Sequence, residues 1–244
     1  MGVNGGSHII EWQQLTFQEI GALDRELPVV LPLGVLEAHG PQLPVSTDLS
    51  AAEYICRRVA ERTDCILLPP VNYGFVGYSR SYTGTLGVSV DTMASALEDL
   101  MGLLDEHGFR KIVLISGHGA NILPYQVAAF RLSLSHPRLR TRYVNWWIEA
   151  GYTVHHSDAF ETETAAAMGL VAHMDRAEPH KVPDVWYFEV SRHALAPETG
   201  GVNGNPTEAD VARGQAELDH SVDVLVRLVE RARNDPSSAG VERS

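Results

Sequence analysis

The sequence predicts an α/β protein of three layers, with a mainly parallel central sheet between two layers of helices. Apolar runs of strand length alternate along the chain with segments that repeat apolar residues at helical spacing. Such alternation is typical of parallel strands joined by crossover helices. The 244 residues, 44% of them apolar, are enough for one large domain. We therefore expect a single domain over residues 1–244, with flexible ends at 1–9 and 234–244.

The individual elements can be placed in order along the chain. Each predicted strand is a short apolar run stopped by glycine, proline or polar residues; these runs lie at 29–33, 65–68, 111–116 and 141–145, with an edge strand at 186–190. Each predicted helix carries an apolar face; the helices lie at 11–22, 48–62, 91–107, 121–135, 155–173 and 207–233. In the fourth helix we expect Val127, Phe130 and Leu134 to point inward. Residues 71–90 show no helical period and predict a long loop.

The bulk composition narrows the classes of function. The net charge of −12 argues against a nucleic-acid partner, because phosphate binding needs a basic surface. The two cysteines, Cys56 and Cys65, lack the spacing of a zinc site or a disulfide framework, which suits a reducing compartment. No apolar run reaches the length of a membrane span, and no signal peptide is recognisable. We therefore expect a cytoplasmic protein without a membrane partner.

Chemistry-bearing side chains follow two of the predicted strands. Glu37 and His39 come shortly after the first strand, and residues two apart in an extended segment point the same way. Asp48 follows nine residues after His39, and His118 lies between glycines directly after the strand 111–116. The carboxyl ends of parallel strands meet at one edge of a sheet, where ligands usually bind. We interpret this set as a metal site; polar decoration of a surface loop is the alternative for each residue alone.

Asp48 has two possible roles in this interpretation. Its two oxygens could bridge two ions, which together would activate a shared water and polarise a carbonyl. It also stands where a helix N-cap would lie, so capping alone is the alternative. Carboxylate and imidazole ligands suit Zn, Mn or Fe and do not choose among them.

At these residues the chain resembles the creatininase (creatinine amidohydrolase) family. The segment 33–44, LGVLEAHGPQLP, followed by Thr47-Asp48, is similar to the family's first signature. The segment 116–121, SGHGAN, resembles its Gly-Gly-His-Gly-Gly-Asn motif. The segments 83–85 and 201–206 resemble its Pro-Gly-Thr turn and its Gly-Val-x-Gly-Asp-Pro segment. The similarity spans residues 10 to 232 approximately and implies a creatininase-like fold.

The resemblance also implies a fifth metal ligand. Family members commonly show His-Ala-Gly-x-x-Glu-Thr-Ser before a helix, and we align Glu163-Thr164 with its Glu-Thr pair. Creatininases carry a ligand Glu two residues after the histidine of the second motif, where this chain has Ala120. Glu163 is therefore expected as both metal ligand and catalytic residue, with Glu161 as the second choice. Acidic residues favoured by the dipole of a first helical turn are the alternative for both.

The same alignment bears on the acid/base group. It puts Asp158 where the family has its His, to which an acid/base or substrate-contact role is assigned. His155 or His156, in the preceding loop, could take over that role. Asp158 and His156 are therefore the further catalytic candidates.

Substrate contacts are expected from two places. Arg80 and Tyr82 lie in the long loop, where a packing role is equally open. Trp146 and Trp147 follow the strand 141–145, and an aromatic residue at this place packs on the substrate in the creatininase family. Burial in the core is the alternative for both tryptophans.

The resemblance implies a hydrolase that acts on carbon–nitrogen bonds other than peptide bonds. It would use two divalent ions per chain and a metal-activated water to cleave a small-molecule amide, cyclic amide or formamide. The departures at Asp158, Ala120 and Arg80 predict a substrate other than creatinine. The alternatives are a peptidase for a modified peptide, and a non-hydrolytic enzyme or binding protein on the same scaffold. The family resemblance also implies a homo-oligomer, with a hexamer as the expected assembly.

Overall fold

A computed structural model describes residues 9–170, 173–180 and 200–235. Its sheet has five strands, all parallel, in the order β1-β3-β2-β4-β5. The α/β fold predicted from the sequence is thereby confirmed. The strands are β1 (Ile10–Glu11), β2 (Val29–Leu33), β3 (Ile66–Leu67), β4 (Lys111–Ser116) and β5 (Arg140–Asn145).

The central strands β2 and β4 are mostly apolar and fully buried because both of their faces are covered. Successive side chains of a strand point to opposite faces. In β4, Val113 and Ile115 join one apolar core, whereas Ile112 and Leu114 join the other. All six residues of β4 are buried. This burial on both faces is what a sheet between two helical layers requires.

The helices form the two outer layers. Helices α2 and α7 pack on the first core through Ile55 and Leu218, and helices α3 and α4 pack on the second through Leu97 and Leu132. The helices are α1 (Phe17–Ala22), α2 (Thr47–Ala60), α3 (Val90–Glu106), α4 (Ile122–Ser135), α5 (Trp146–Glu149), α6 (Ala159–Ala167) and α7 (Val211–Asn234). Among the described residues, no helix combines the length and the apolar character that crossing a bilayer would need.

Several sequence expectations need correction. The predicted helix 11–22 divides into β1, a 3₁₀ turn at Trp12–Gln14 and α1. The predicted helix 155–173 is shorter, since α6 ends at Ala167. Phe130 and Leu134 are 68% and 75% exposed, because α4 buries the face that carries Ala128 and Leu132 instead. The predicted edge strand at 186–190 lies outside the described residues, as do most of the two expected flexible ends.

Candidate metal centre

The loop after β2 places Glu37 and His39 inside the protein. Their side chains are almost fully buried, at 3% and 1% exposure. The loop is held by backbone contacts on both sides: Glu37 N donates to Val45 O at 2.8 Å, and Ala38 N donates to Thr85 Oγ1 at 3.0 Å. The Thr-Gly-Thr turn at 83–85 therefore supports the first motif directly.

Two glycines let helix α2 approach the strand ends closely enough to bring in Asp48. A Cβ on Gly117 would lie 1.9 Å from Asp48 O, and a Cβ on Gly34 would lie 2.5 Å from Leu49 Cα. Neither position has room for a larger residue. Asp48 lies in the first turn of α2, whereas the N-cap is Ser46. The interpretation of Asp48 as the N-cap is therefore wrong.

The buried side chains converge on Asp48, which uses its two oxygens in different directions. Asp48 Oδ1 lies 3.0 Å from His39 Nε2, which is 3.8 Å from Glu161 Oε2. Asp48 Oδ2 lies 2.9 Å from His118 Nδ1, which is 3.0 Å from Glu37 Oε2. Two three-residue groups thus share one aspartate. In each group the potential ligand atoms lie within 4.8 Å of one another.

The cluster fits a divalent cation. Four buried atoms in it have no hydrogen-bond partner of acceptable geometry among the described residues: Glu37 Oε2, His39 Nε2, Asp48 Oδ2 and His118 Nε2. Buried polar atoms almost always find such partners, so buried polar atoms that converge without hydrogen bonds are what a shared bound ion would explain. Mixed carboxylate and imidazole donors are typical of sites for first-row transition metals and zinc.

The pKa values of the ionisable side chains in the metal-free cluster are strongly shifted. Burial would lower the pKa of His39, but the carboxylates of Asp48 and Glu161 outweigh it and raise that pKa to about 10. The pKa of His118 is raised well above its usual range despite its burial, chiefly by Glu37. Burial would raise the pKa of Glu37, but His118 lowers it to about 2. Without a metal ion, protonated imidazoles therefore balance the buried carboxylates.

His156 lies beside His39 and differs from it in charge. Its ring centroid is 4.5 Å from that of His39, and its Nε2 is 2.8 Å from Ala38 O. A carbonyl oxygen only accepts, so Nε2 carries the proton that it donates, and Nδ1 of the neutral ring is left free. Burial, followed by the charge on His39, lowers the pKa of His156. His156 is therefore a neutral imidazole with one basic nitrogen at the edge of the cluster.

A cavity of about 280 Å³ opens onto this cluster. Besides the ligand candidates, its wall includes the indole of Trp147, Val154, His155 and the small residues Gly77 and Ala120. Of these, His155 and Val154 were not expected from the sequence as wall residues. The cavity gives a substrate access to the buried donors.

A second cavity, of about 340 Å³, lies away from the cluster, between α2 and the segment after β3. Its lining includes Glu53 and the ion pair of Glu11 with Arg57 at 2.9 Å, and no histidine is among the described residues that line it. We therefore assign the functional site to the cavity that holds the metal-ligand set.

The structure brings Glu161, and not Glu163, to the cluster. Glu163 is buried against α7, where its carboxylate pairs with Arg213. The assignment of Glu163 as metal ligand and catalytic residue is therefore wrong here, and the second choice, Glu161, is the carboxylate that lies beside His39 and Asp48. The cause is an alignment register two residues off: shifted back, the family motif places its Glu-Thr pair on Glu161-Thr162. The same shift places the motif's histidine on His156.

The corrected register also changes the interpretation of Asp158. Its carboxylate caps α6, accepting hydrogen bonds from His155 N at 2.9 Å and Glu161 N at 3.1 Å. It does not line the cavity. Asp158 is thus a helix cap, and His156 is the acid/base candidate that the structure keeps beside the cluster.

Of the four residues expected to contact the substrate, one lines the cavity and three do not. Trp147 lines the cavity, whereas Trp146 is 3% exposed and stacks on Phe160 in the core. Arg80 is exposed and does not line the cavity. The ring of Tyr82 packs near Gly201, also outside the cavity wall. The core alternative thus holds for Trp146, and the packing alternative for Tyr82.

Comparison with known proteins agrees with this geometry. The profile of the creatininase family, described as creatinine amidohydrolase, matches residues 13–229. A mycofactocin precursor peptide peptidase of Mycobacterium ulcerans (strain Agy99) is 30% identical over 226 residues, covering 83% of this chain and 84% of that protein. The creatinine amidohydrolase of Pseudomonas putida is 32% identical over 98 residues, which span 38% of each protein.

Solved structures share the fold. A creatinine amidohydrolase (creatininase) matches with a TM-score of 0.78 at 24% identity, covering 92% of this chain and 98% of that chain. Solved creatininases with the same fold include a zinc–zinc type and a manganese form.

Proposed function

The chain belongs to the creatininase family, and on that premise we propose that it is a metal-dependent amidohydrolase that cleaves a carbon–nitrogen bond of a small molecule. The observation that carries the proposal is the pair of three-residue groups that share Asp48. One group offers Glu37, Asp48 and His118, and the other offers His39, Asp48 and Glu161.

We propose that this chain holds two divalent ions, with Asp48 as the shared ligand. Zinc and manganese are supported by the solved creatininases described above, and iron suits the same donors. Such ions, when bound, lower the pKa of a bound water toward neutrality and polarise a carbonyl.

The protein's own residues supply orientation and proton transfer. His39 Nδ1 lies 3.0 Å from Glu37 O, which fixes the ring so that Nε2 faces Asp48. His156 is fixed by Ala38 O with its basic Nδ1 free, so it can take up a proton and deliver it to the departing nitrogen. Trp147 and Val154 form an apolar wall that shields the reacting bond from water.

Creatinine is again a candidate substrate to be tested. The sequence argument against it relied on Asp158 replacing a histidine, on Ala120 replacing a carboxylate, and on Arg80. His156 and Glu161 are the candidates for those two roles, and Arg80 lies outside the cavity wall. The expectation of a substrate other than creatinine therefore loses its grounds, while other small amides stay equally open.

A peptidase is the second candidate. It is favoured by the similarity to the mycofactocin precursor peptide peptidase, which extends over most of both chains. A peptide could enter the cavity along the side formed by Gly77, Ala120 and the exposed His155.

The test is a hydrolysis screen of metal-loaded protein. Creatinine, five- and six-membered lactams, formamides and short peptides are incubated with the zinc and manganese forms, and products are identified by mass spectrometry. We expect hydrolysis of at least one amide and no activity after chelation. Products that all arise without addition of water would contradict the proposal.

A further inference from the structure

Glu163 is a buried carboxylate whose partners Asp210, Arg213 and Glu217 all belong to helix α7 or its N-cap. It is 1% exposed. Arg213 Nε donates to Oε1 at 2.9 Å and Arg213 Nη2 donates to Oε2 at 2.5 Å, which is a two-point ion pair. The backbone N of Asp210 donates to Oε2 at 2.8 Å. Such bidentate, charge-assisted contacts fix both distance and orientation.

The partner of Glu163 belongs to the most extensive helix described. Asp210 is the N-cap of α7, and Arg213 lies in its first turn. The 24 residues of α7 are anchored in the core by side chains such as Leu218 and Leu225. Arg213 Nη2 also donates to Glu208 O at 2.8 Å, so the guanidinium itself is held in place.

Helices α6 and α7 touch at backbone distance beside this ion pair. A Cβ on Gly214 would lie 2.4 Å from Glu163 O and 2.9 Å from Thr164 N. The glycine thus allows α6 to lie directly on the first turn of α7. The contact fixes the separation of the two helices, and the ion pair fixes how α6 is turned about its axis.

That rotation determines where Glu161 points. Residues two apart in an α-helix differ by about 200° around the axis, so Glu161 and Glu163 face opposite sides of α6. Glu161 faces His39 and Asp48, whereas Glu163 faces α7. Because α6 has nine residues, a fixed side chain on one side sets the position of the carboxylate on the other.

We propose that Glu163 and Arg213 form a positioning pair that holds the Glu161 carboxylate in the metal centre. This rests on the proposed function, because it concerns the ion bound by His39, Asp48 and Glu161. The pair touches neither the cavity nor the ligand atoms. Its effect is therefore on the affinity of one ion, while the ion at Glu37 and His118 keeps its ligands.

The test is a titration of metal-free protein with Zn²⁺ against a chelating indicator at constant pH. Glu163→Gln keeps the shape of the side chain and removes the charge. We expect it to lower the Zn²⁺ affinity of one of the two sites by about 10- to 100-fold, the range found when hydrogen-bond partners of metal ligands are removed. The affinity of the other site should stay unchanged. Arg213→Lys, which keeps the charge but not the two-point contact, should give a smaller loss at the same ion. Glu161→Gln shows which site is affected, because it removes a proposed ligand and should abolish Zn²⁺ binding at that site.

The matched control is Arg62→Gln, which removes the 2.7 Å ion pair of Arg62 with Asp223 on α7 without touching α6. It should leave both affinities unchanged. Equal Zn²⁺ affinities in wild type and in folded Glu163→Gln would overturn the inference. An equal decrease in affinity at both sites of Glu163→Gln would also overturn it. If Glu163→Gln does not fold, Arg213→Lys decides, and unchanged affinities there overturn it. Wild type that binds fewer than two ions would instead contradict the proposed function.

Discussion

His156 is the residue at which we expect proton transfer to be separable from metal binding. We expect His156→Gln to lower kcat by about 10² to 10⁴, the usual contribution of a positioned acid or base. Metal content should stay at the wild-type level, because Glu37, His39, Asp48 and Glu161 are intact. Steady-state kinetics and elemental analysis on the same preparation check this. His107→Gln, at the exposed end of α3, is the control; activity of His156→Gln within a few-fold of wild type would refute the role.

The protonated imidazoles predict how metal binding depends on pH. Burial would lower the pKa of His39, but neighbouring carboxylates raise it to about 10, and the pKa of His118 is raised as well. Both rings are therefore charged at neutral pH in the metal-free protein and must lose a proton to bind a cation. Affinity should rise with pH between 6 and 9, by about tenfold per pH unit for each proton released. Calorimetry in buffers of different ionisation enthalpy counts the protons; a pH-independent affinity would argue against these ligands.

Residues at strand ends were predictable from the sequence, and the carboxylate on α6 was not. Glu37, His39 and His118 come shortly after apolar runs that predict buried strands, so their place at one sheet edge followed, and Asp48 begins the helix after the first of these loops. Glu161 and Glu163 lie two residues apart on one short helix, and helical spacing alone does not show which of them faces the site. The ion pair of Glu163 with Arg213, fifty residues away, decides this in the structure, and in the sequence only the motif register that starts at His156 points to Glu161.

At the scale of elements, the approach of β4 to α2 is the tightest contact behind the site. A Cβ on Gly117 would come 1.9 Å from Asp48 O, so Gly117→Ala must push the strand end and α2 apart. We expect this variant to lose metal binding and to unfold at a lower temperature than wild type.

The control for that substitution is Gly21→Ala in α1, where an added Cβ meets nothing within 4 Å. It should change the free energy of unfolding by no more than about 1 kcal/mol, and in the stabilising direction, since alanine favours a helix over glycine. Thermal unfolding and metal content measured side by side distinguish the two. A Gly117→Ala protein that binds metal as wild type does would contradict the close approach.

Helix α4 shows where periodicity alone misleads. Val127, Phe130 and Leu134 repeat at helical spacing and predict an inward face. The structure turns the smaller Ala128 to the core instead, together with Leu132, and leaves Phe130 exposed. Both faces of α4 carry apolar residues, so the sequence alone does not show which of the two faces is buried.

At the scale of the whole molecule, the exposed stripe suggests where copies of the chain meet. Helices α3 and α4 pack side by side, and Leu103 on α3 and Phe130 and Leu134 on α4 are exposed. We expect a homo-oligomer, as the family resemblance implies, with this face in contact. Phe130→Glu combined with Leu134→Glu should shift the mass measured by light scattering toward the monomer. The control is Phe17→Glu in α1, at a similarly exposed phenylalanine, and it should leave the measured mass unchanged. A wild-type protein that is monomeric at micromolar concentration would refute the expectation.

The central claim is that two divalent ions share Asp48, and metal stoichiometry tests it most directly. Elemental analysis of purified, metal-loaded wild type should give close to two ions per chain. Asp48→Ala should lose most of that metal, because Oδ1 and Oδ2 of this residue serve different three-residue groups. Asp223→Ala, an exposed aspartate on α7, should retain the wild-type content. Equal metal content in wild type and Asp48→Ala would contradict the two-ion site.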